Sequence, residues 1–255
     1  MRLVVKVGTS TLAHATGKLN IRRMKALCET LADLKNGGHE VLLVSSGAIG
    51  MGVGKLSLSV RPQDIPTKQA AAAVGQCELM YAYDKTFGEY GQTVAQLLLT
   101  GADFGHEDRL QNLKNTLNRL LELGVIPIIN ENDTVATEEI KVGDNDTLSA
   151  LVASSVNATM LAILSDIDGL YTADPKKDQN AVRIEKVEEL TPEVVALAGG
   201  EGSSLGTGGM RTKLRAAEIC MGAGVVAVIA DGADPAVLYK LVEGESVGTR
   251  FEAKV

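Results

Sequence analysis

Two spacings of hydrophobic residues alternate along this chain. Short, continuous apolar runs predict strands that are buried on both faces, and longer segments with apolar residues every three or four positions predict amphipathic helices. The predicted strands are residues 3–7, 40–44, 93–99, 125–129, 160–164 and 225–230. The predicted helices are residues 21–36, 67–87, 110–123, 193–198 and 210–222, with a further helix beginning near residue 145. This alternation indicates an α/β fold with a largely parallel sheet covered by helices on both faces.

Polar residues interrupt this pattern first inside the strand at residues 3–7. Lys6 stands in an otherwise apolar run, and Gly8, Thr9 and Ser10 follow it as a turn. In α/β proteins a turn at the carboxyl end of a strand is the usual place for a ligand, so contact with a phosphate is favoured. The alternative is a lysine on an edge strand that reaches water.

A second polar cluster, Asp144-Asn145-Asp146, precedes a segment in which Leu148, Leu151, Val152 and Val156 have helical spacing. The cluster therefore stands at a predicted helix N-terminus, where one aspartate would be ordinary capping. Two carboxylates and an amide exceed what a cap requires, although a cap with solvated neighbours is the simpler alternative. A calcium loop fits poorly, because its glycine and its final glutamate are missing.

Glycines follow two other predicted elements. Residues 45–54 form a glycine-rich turn after a strand, and residues 199–213 form a long glycine-rich loop that opens the helix at 210–222. Backbone N–H groups in such segments can bind an anion, and Arg211 and Lys213 add positive charge to the second. The alternatives are a tight strand-to-helix turn for the first and a flexible surface loop for the second. The small residues of 67–87 allow either a core helix or a dimer face.

Composition narrows the class of protein. The net charge of −7 argues against a nucleic-acid-binding face, and the three cysteines form no CxxC pair. No segment predicts a signal peptide, and the longest mostly apolar run, residues 150–164, is too short and too polar to span a bilayer. We therefore expect a soluble, cytoplasmic protein without membrane or nucleic-acid partners.

Six motifs in one order carry a resemblance to a known family. The chain resembles the glutamate 5-kinases, which belong to the amino acid kinase family, over nearly its whole length. The motifs are Lys6-Val-Gly-Thr-Ser10, Val44-Ser-Ser-Gly-Ala-Ile49, Asn130-Glu-Asn-Asp133, Lys141-Val-Gly-Asp-Asn-Asp146, Gly169-Leu-Tyr-Thr-Ala-Asp-Pro175 and Leu205-Gly-Thr-Gly-Gly-Met-Arg-Thr-Lys213. The third and fourth are specific to these kinases within the wider family.

The resemblance implies a three-layer α/β/α sandwich that transfers phosphate from ATP, with Mg²⁺, to the side-chain carboxylate of L-glutamate. One amino acid kinase domain would cover residues 1–255, with an amino-acid half at about 1–150 and a nucleotide half at about 151–255, and without the carboxy-terminal PUA domain that many members carry. It also implies proline synthesis as the pathway, proline as feedback inhibitor, a glutamyl phosphate reductase as possible partner, and a homo-oligomer, either dimer or tetramer.

The resemblance also assigns residues. Lys6, Asp146 and Lys213 would be catalytic, with Asp146 orienting both lysines, and no protein ligand for the metal is expected. The substrate would be held by Ser46, Gly47, Asp133, Asp144 and Asn145. The nucleotide would be bound by Lys6, Gly8, Ser165, Asp166, Thr207, Gly208, Gly209, Met210, Arg211, Thr212 and Lys213, although no definite role is expected for Arg211.

The chemistry of the acceptor agrees with the residues available. A carboxylate with a pKa of about 4.3 is already an ionised nucleophile at neutral pH, so no general base is needed. His14, His39 and His106 accordingly lie in no motif. Two alternatives are an amino acid kinase that acts on another small carboxylate or phosphate, and a non-catalytic module that senses ATP or proline. RNA binding is less well supported than either of these alternatives.

Overall fold

A computed structural model describes residues 1–14, 18–136, 145–175, 177–198 and 209–253. Its centre is a sheet of eight described strands in the order β3-β4-β2-β1-β5-β7-β8-β6. The strands are β1 Arg2–Val7, β2 Glu40–Ser45, β3 Val94–Leu99, β4 Ile126–Glu131, β5 Met160–Ser165, β6 Lys186–Val187, β7 Val226–Asp231 and β8 Thr249–Phe251. All pairings are parallel except that between β7 and β8.

Helices cover both faces of this sheet. They are α1 Thr9–Leu12, α2 Ile21–Asn36, α3 Ala48–Lys55, α4 Ile65–Gly88, α5 Gly101–Gly105, α6 Glu107–Glu122, α7 Asn145–Ser155, α8 Pro192–Ala196, α9 Met210–Gly222 and α10 Val237–Glu243. One core cluster joins the sheet to α2, α4 and α10, and a second joins it to α6, α7 and α9. The predicted three-layer α/β/α sandwich is confirmed.

Side-chain alternation in β1 decides which layer each residue faces. Leu3, Val5 and Val7 belong to the core under α2 and α4, whereas Val4 belongs to the core under α7 and α9. Successive side chains of a strand point to opposite faces, so Lys6 shares the face of Val4. Because β1 lies between β2 and β5, Lys6 is placed in the middle of the sheet, and the alternative of an edge-strand lysine is wrong.

Several predicted elements match closely, and the misses have clear causes. Helices α2 and α9 have the predicted bounds, 21–36 and 210–222. The strands β6 and β8 were missed, because two or three residues carry no periodicity. The short helices α5 and α10 were also missed. The turn expected at 8–10 is the start of a helical turn, α1.

The glycine-rich segment at 45–54 is mostly helix rather than turn. Only Ser46 and Gly47 separate β2 from α3, and Gly47 has a φ of 113°, which glycine adopts without strain. The later glycines serve packing: a Cβ at Gly52 would lie 1.8 Å from the carbonyl oxygen of Ala71, and one at Gly75 would lie 1.8 Å from that of Ala48. Helices α3 and α4 are therefore interlocked backbone to backbone, and α4 packs on the core through one face, while a dimer face on its other side stays a prediction.

We predict that Gly75→Ala destabilises the protein by about 3 kcal/mol or more, because the added methyl group overlaps the backbone of α3 and forces the helices apart. Gly88→Ala, at the end of the same helix, has open space around its Cβ and should be neutral or stabilising by up to about 1 kcal/mol. Denaturant unfolding of both variants checks this. Equal stability of the two variants would contradict the interlock.

Candidate active site

Two lysines from different ends of the chain meet at one buried carboxylate. The Lys6 Nζ lies 2.7 Å from Oδ1 of Asp146, and the Lys213 Nζ lies 3.2 Å from its Oδ2. The relative exposures of the three residues are 8%, 1% and 6% for Lys6, Asp146 and Lys213. We call these three residues the lysine pair and its carboxylate. The structure brings together the three residues predicted to be catalytic.

The fold explains why these residues converge. Lys6 projects from the central strand into the layer of α7 and α9, which pack against each other. Asp146 is in the first turn of α7, and Lys213 is in the first turn of α9. Both helix N-termini therefore point their positive dipole ends at the same place, the carboxyl end of β1.

The charges in this cluster are strongly coupled. Burial alone would raise the pKa of Asp146, but the neighbouring ammonium groups of Lys6 and Lys213 hold the pKa of its carboxyl well below its usual range. Asp146 is therefore ionised at neutral pH. Within this trio two ammonium groups face one carboxylate, a balance that favours an anion such as a phosphate.

Thr212 adds a hydrogen bond to the same carboxylate. Its hydroxyl donates toward Oδ2 of Asp146 at 2.7 Å and also lies 2.8 Å from the backbone oxygen of Gly209. Gly209 precedes α9 as its N-cap, so the hydroxyl ties the start of this helix to the charge cluster. A role of Thr212 in nucleotide binding stays a prediction.

A second set of polar groups lies at the carboxyl ends of β2 and β4. The Nδ2 of Asn145 donates to Oγ of Ser46 at 2.7 Å and to Oδ1 of Asn130 at 2.8 Å. Asn145 is next to Asp146 at the start of α7, so the two sets share one wall. The predicted residues Ser46 and Asn145 are thus in direct contact, and Gly47 follows as the N-cap of α3.

These contacts leave one hydrogen-bond acceptor, on Asn145, and one donor, on Ser46, for a ligand. The Oδ1 of Asn145 is buried and accepts no hydrogen bond from the residues that the structure describes. The hydroxyl of Ser46 accepts from Asn145 and so retains its own proton as a donor. A buried acceptor without a donor is costly, so this oxygen indicates a ligand that carries an N–H or O–H group.

Asp133 lies two residues after the end of β4, in the turn that follows Asn132. Burial raises the pKa of its carboxyl to about 6. No cation offsets this burial in the described part of the chain, because burial is the only cause of the shift. A positively charged ligand beside Asp133 would lower the pKa again, which makes this carboxylate a candidate partner for a cation.

The other predicted residues occupy neighbouring positions. A Cβ at Gly8 would lie 3.6 Å from Nζ of Lys6. Ser165 ends the adjacent strand β5, and its hydroxyl donates to Asp166, the residue that follows the strand. Gly209 and Met210 begin α9, and Arg211 is exposed. Asp144, Thr207 and Gly208 lie outside the described residues.

Two residues of this region were not singled out from the sequence. Asn130 bridges Asn145 and Gln76, since its Nδ2 donates to Oε1 of Gln76 at 2.9 Å. Asn130 stood within a polar motif that gave it no separate role. Gln76 had no signal at all, because one amide in an aliphatic helix resembles a surface position.

Known proteins resemble this chain in sequence. The model of the amino acid kinase family matches residues 1–231. The chain is 55% identical over 251 residues to a glutamate 5-kinase of Caldanaerobacter subterraneus subsp. tengcongensis, covering 98% of this chain and 68% of that one. It is 53% identical over 257 residues to a glutamate 5-kinase of Listeria innocua, covering 99% and 93%.

Solved structures share the fold at much lower identity. A UMP kinase from Bacillus anthracis superposes with a TM-score of 0.67 at 16% identity, covering 100% of this chain and 96% of that one. A carbamate kinase from Giardia lamblia bound to AMP-PNP superposes with a TM-score of 0.69 at 17% identity, covering 99% and 98%. At these identities the likeness concerns the fold alone.

We predict that Asp133→Asn stabilises the protein at neutral pH. The folded pKa of about 6 exceeds the usual value of 3.8, so ionisation costs more in the folded than in the unfolded state. The gain should be absent below about pH 4, grow as pH rises through 6, and stay constant above, at up to about 3 kcal/mol. Urea unfolding at pH 4 and pH 7.5 checks this. The same gain at both pH values would contradict the raised pKa.

Proposed function

The chain belongs to the amino acid kinase family, and we propose that it transfers the γ-phosphoryl group of ATP to the side-chain carboxylate of L-glutamate. The product is L-glutamate 5-phosphate, made in the first step of proline synthesis. More than 50% identity to glutamate 5-kinases over nearly the whole chain supports this function. The structural observation that carries it is the buried lysine pair and its carboxylate, Lys6, Asp146 and Lys213.

The reaction brings two anions together. The glutamate carboxylate is ionised at neutral pH and attacks phosphorus directly, so the protein has no proton to remove. Its task is to position the reactants and to neutralise charge that builds up on the transferred group. The ammonium groups of Lys6 and Lys213 are suited to this, since both are desolvated and Asp146 limits their mutual repulsion.

The proposed glutamate pocket has the complementary groups. Ionised glutamate offers two carboxylates, which only accept hydrogen bonds, and one ammonium group, which only donates. The hydroxyl of Ser46 can donate to a carboxylate, and Oδ1 of Asn145 can accept only from the ammonium. We assign the carboxylate of Asp133 to the same ammonium group. This cation would offset the burial that raises the pKa of Asp133. Gly47 and Asp144 stay in this pocket as sequence-based proposals.

We place ATP at the carboxyl ends of β1 and β5 and at the N-terminus of α9. Gly8 leaves space beside Lys6, Ser165 ends β5, and Asp166 follows this strand. The segment Gly209–Lys213 opens α9, whose N-terminal dipole favours phosphate. Thr207 and Gly208 are assigned to the same site from the sequence motif, and Arg211 receives no specific role.

Mg²⁺ is proposed as the companion of ATP. It binds through phosphate oxygens and water with few protein carboxylates, and it would supply further neutralisation of the β- and γ-phosphates. The donor set is compatible with this, because Asp146 is committed to two ammonium groups. We therefore assign Mg²⁺ to the phosphates and name no protein ligand.

Further assignments rest on the family resemblance. We propose proline as feedback inhibitor, a glutamyl phosphate reductase as consumer of the reactive product, and a homo-oligomer in the cytoplasm. We also propose that residues 1–150 mainly hold glutamate and residues 151–255 mainly hold ATP. In the described part of the chain, no helix combines the length and apolar character that crossing a bilayer requires.

The proposed reaction predicts ADP release that depends on L-glutamate. An acyl phosphate reacts with hydroxylamine to give a hydroxamate and free phosphate, so γ-glutamyl hydroxamate should form in step with ADP. A coupled ADP assay with and without hydroxylamine measures both. ADP release with another carboxylate, but none with glutamate, would indicate a different member of the family.

We predict that Lys6→Ala and Lys213→Ala each lower kcat about 10²–10³-fold, because each removes a donor that acts mainly in the transition state. The glutamate KM should change far less. Single-turnover phosphoryl transfer, followed by rapid quench, checks the chemical step.

Lys240→Ala provides a control, since Lys240 is an exposed lysine on α10. This variant should keep the kcat of the wild type. Phosphoryl transfer at the wild-type rate in Lys6→Ala would remove Lys6 from the mechanism.

A further inference from the structure

A chain of three buried amides leads from helix α4 to the proposed glutamate pocket. Gln76 on α4 accepts from Nδ2 of Asn130 at 2.9 Å, and Oδ1 of Asn130 accepts from Nδ2 of Asn145 at 2.8 Å. The exposures of Gln76, Asn130 and Asn145 are 8%, 2% and 8%, so water competes little for these hydrogen bonds. Gln76 is therefore connected to the pocket by hydrogen bonds but does not line it.

A backbone N–H group fixes which amide donates and which accepts in each of these hydrogen bonds. The N–H of Glu131 donates to Oδ1 of Asn130 at 2.9 Å, and a backbone N–H can only donate. Asn130 must therefore present Oδ1 to Glu131 and Asn145, and Nδ2 to Gln76. Consequently Gln76 must present its oxygen, and Asn145 must present its nitrogen.

The last atom in this row of hydrogen-bonded amides is Oδ1 of Asn145, which faces the proposed substrate pocket. Because Nδ2 of Asn145 donates to Asn130, to Ser46 and, at 3.4 Å, to the backbone oxygen of Ser45, its Oδ1 is the atom left for a ligand. An Asn145 amide turned the other way would offer N–H groups and repel an ammonium ion. The polarity of the pocket thus depends on which way three amides point.

We propose that Gln76 is a positioning residue that holds Asn130, and through it the amide of Asn145, in the orientation that the backbone N–H of Glu131 selects, and thereby favours an amino acid over the dicarboxylate that lacks its ammonium group. This inference rests on the proposed glutamate kinase activity. Gln76 can serve as an anchor because its neighbour Gly75 locks α4 against Ala48 of α3, which leaves the helix no freedom to shift.

Removing the acceptor oxygen of Gln76 breaks the hydrogen bond from Nδ2 of Asn130. Nδ2 of Asn130 then lies buried without a partner, which is costly. The Asn130 amide cannot turn over to relieve this, because its N–H groups would then face the backbone N–H of Glu131, so the side chain must depart from its place. Asn145 then loses Oδ1 of Asn130 as an acceptor, and its own Oδ1 is no longer held toward the ammonium group of glutamate.

Three variants test the proposal. Gln76→Met keeps the size of the side chain and removes the acceptor oxygen, whereas Gln76→Glu keeps an acceptor oxygen. Gln111→Met is the matched control, because it makes the same glutamine-to-methionine change on the exposed face of α6. Steady-state ADP release gives kcat and the KM values for glutamate and ATP. Glutarate, which is glutamate without its amino group, is measured as a competitive inhibitor, and circular dichroism verifies folding.

For Gln76→Met we expect the glutamate KM to rise about tenfold, equivalent to about 1.4 kcal/mol, while kcat, the ATP KM and the glutarate Ki stay within about threefold. Gln76→Glu and Gln111→Met should keep the glutamate KM within about threefold. Preference for glutamate over glutarate would fall only in Gln76→Met.

Other results would overturn the proposal. An unchanged glutamate KM in Gln76→Met would show that Gln76 does not set the pocket, and equal losses for glutamate and glutarate would indicate general damage. If Gln76→Met does not fold, a tenfold loss in Gln76→Glu would itself contradict the requirement for an acceptor. A wild-type protein without glutamate-dependent ADP release would instead refute the proposed function, and this inference with it.

Discussion

The carboxylate of Asp146 is the constraint on which the rest of the site depends. Two ammonium groups buried within a few ångströms of each other would repel strongly without a carboxylate between them. Asp146 lies between them at 2.7 and 3.2 Å and is almost wholly buried. Its carboxylate holds the two lysine side chains in place from opposite oxygens.

Such a cluster is a poor device for stability. Desolvating three charged groups costs about as much as their attraction returns, and a well-packed apolar replacement would often be at least as stable. In the mechanism that we propose, its value is functional, because it holds two cationic side chains at a fixed position before the nucleotide binds. The sheet and the helices α7 and α9 supply the rigid frame, so little reorganisation is needed when charge develops on the phosphoryl group.

The sequence allowed much of this to be predicted, and the limits follow from physics. Long periodic elements such as α2 and α9 are bounded by glycines and were predicted to the residue. The glycines of α3 were taken for a turn, because a glycine needed for helix contact and one needed for a turn look alike in one sequence. Lys6, Asp146 and Lys213 stood in motifs, whereas Gln76 gains its meaning only from contact with Asn130, 54 positions away.

The order of strands at one edge of the sheet has a consequence for how the protein is made. Strand β8 lies between β7 and β6, so β6 joins the sheet only through β8. Since β8 follows every other described element in the sequence, a chain emerging from the ribosome holds β6 without this partner until β8 has been synthesised. Assembly of this edge therefore waits for β8, and the hydroxyl of Thr249, which accepts from the N–H of Leu170 and donates to the carbonyl of Ile184, then joins two segments that precede it in the sequence.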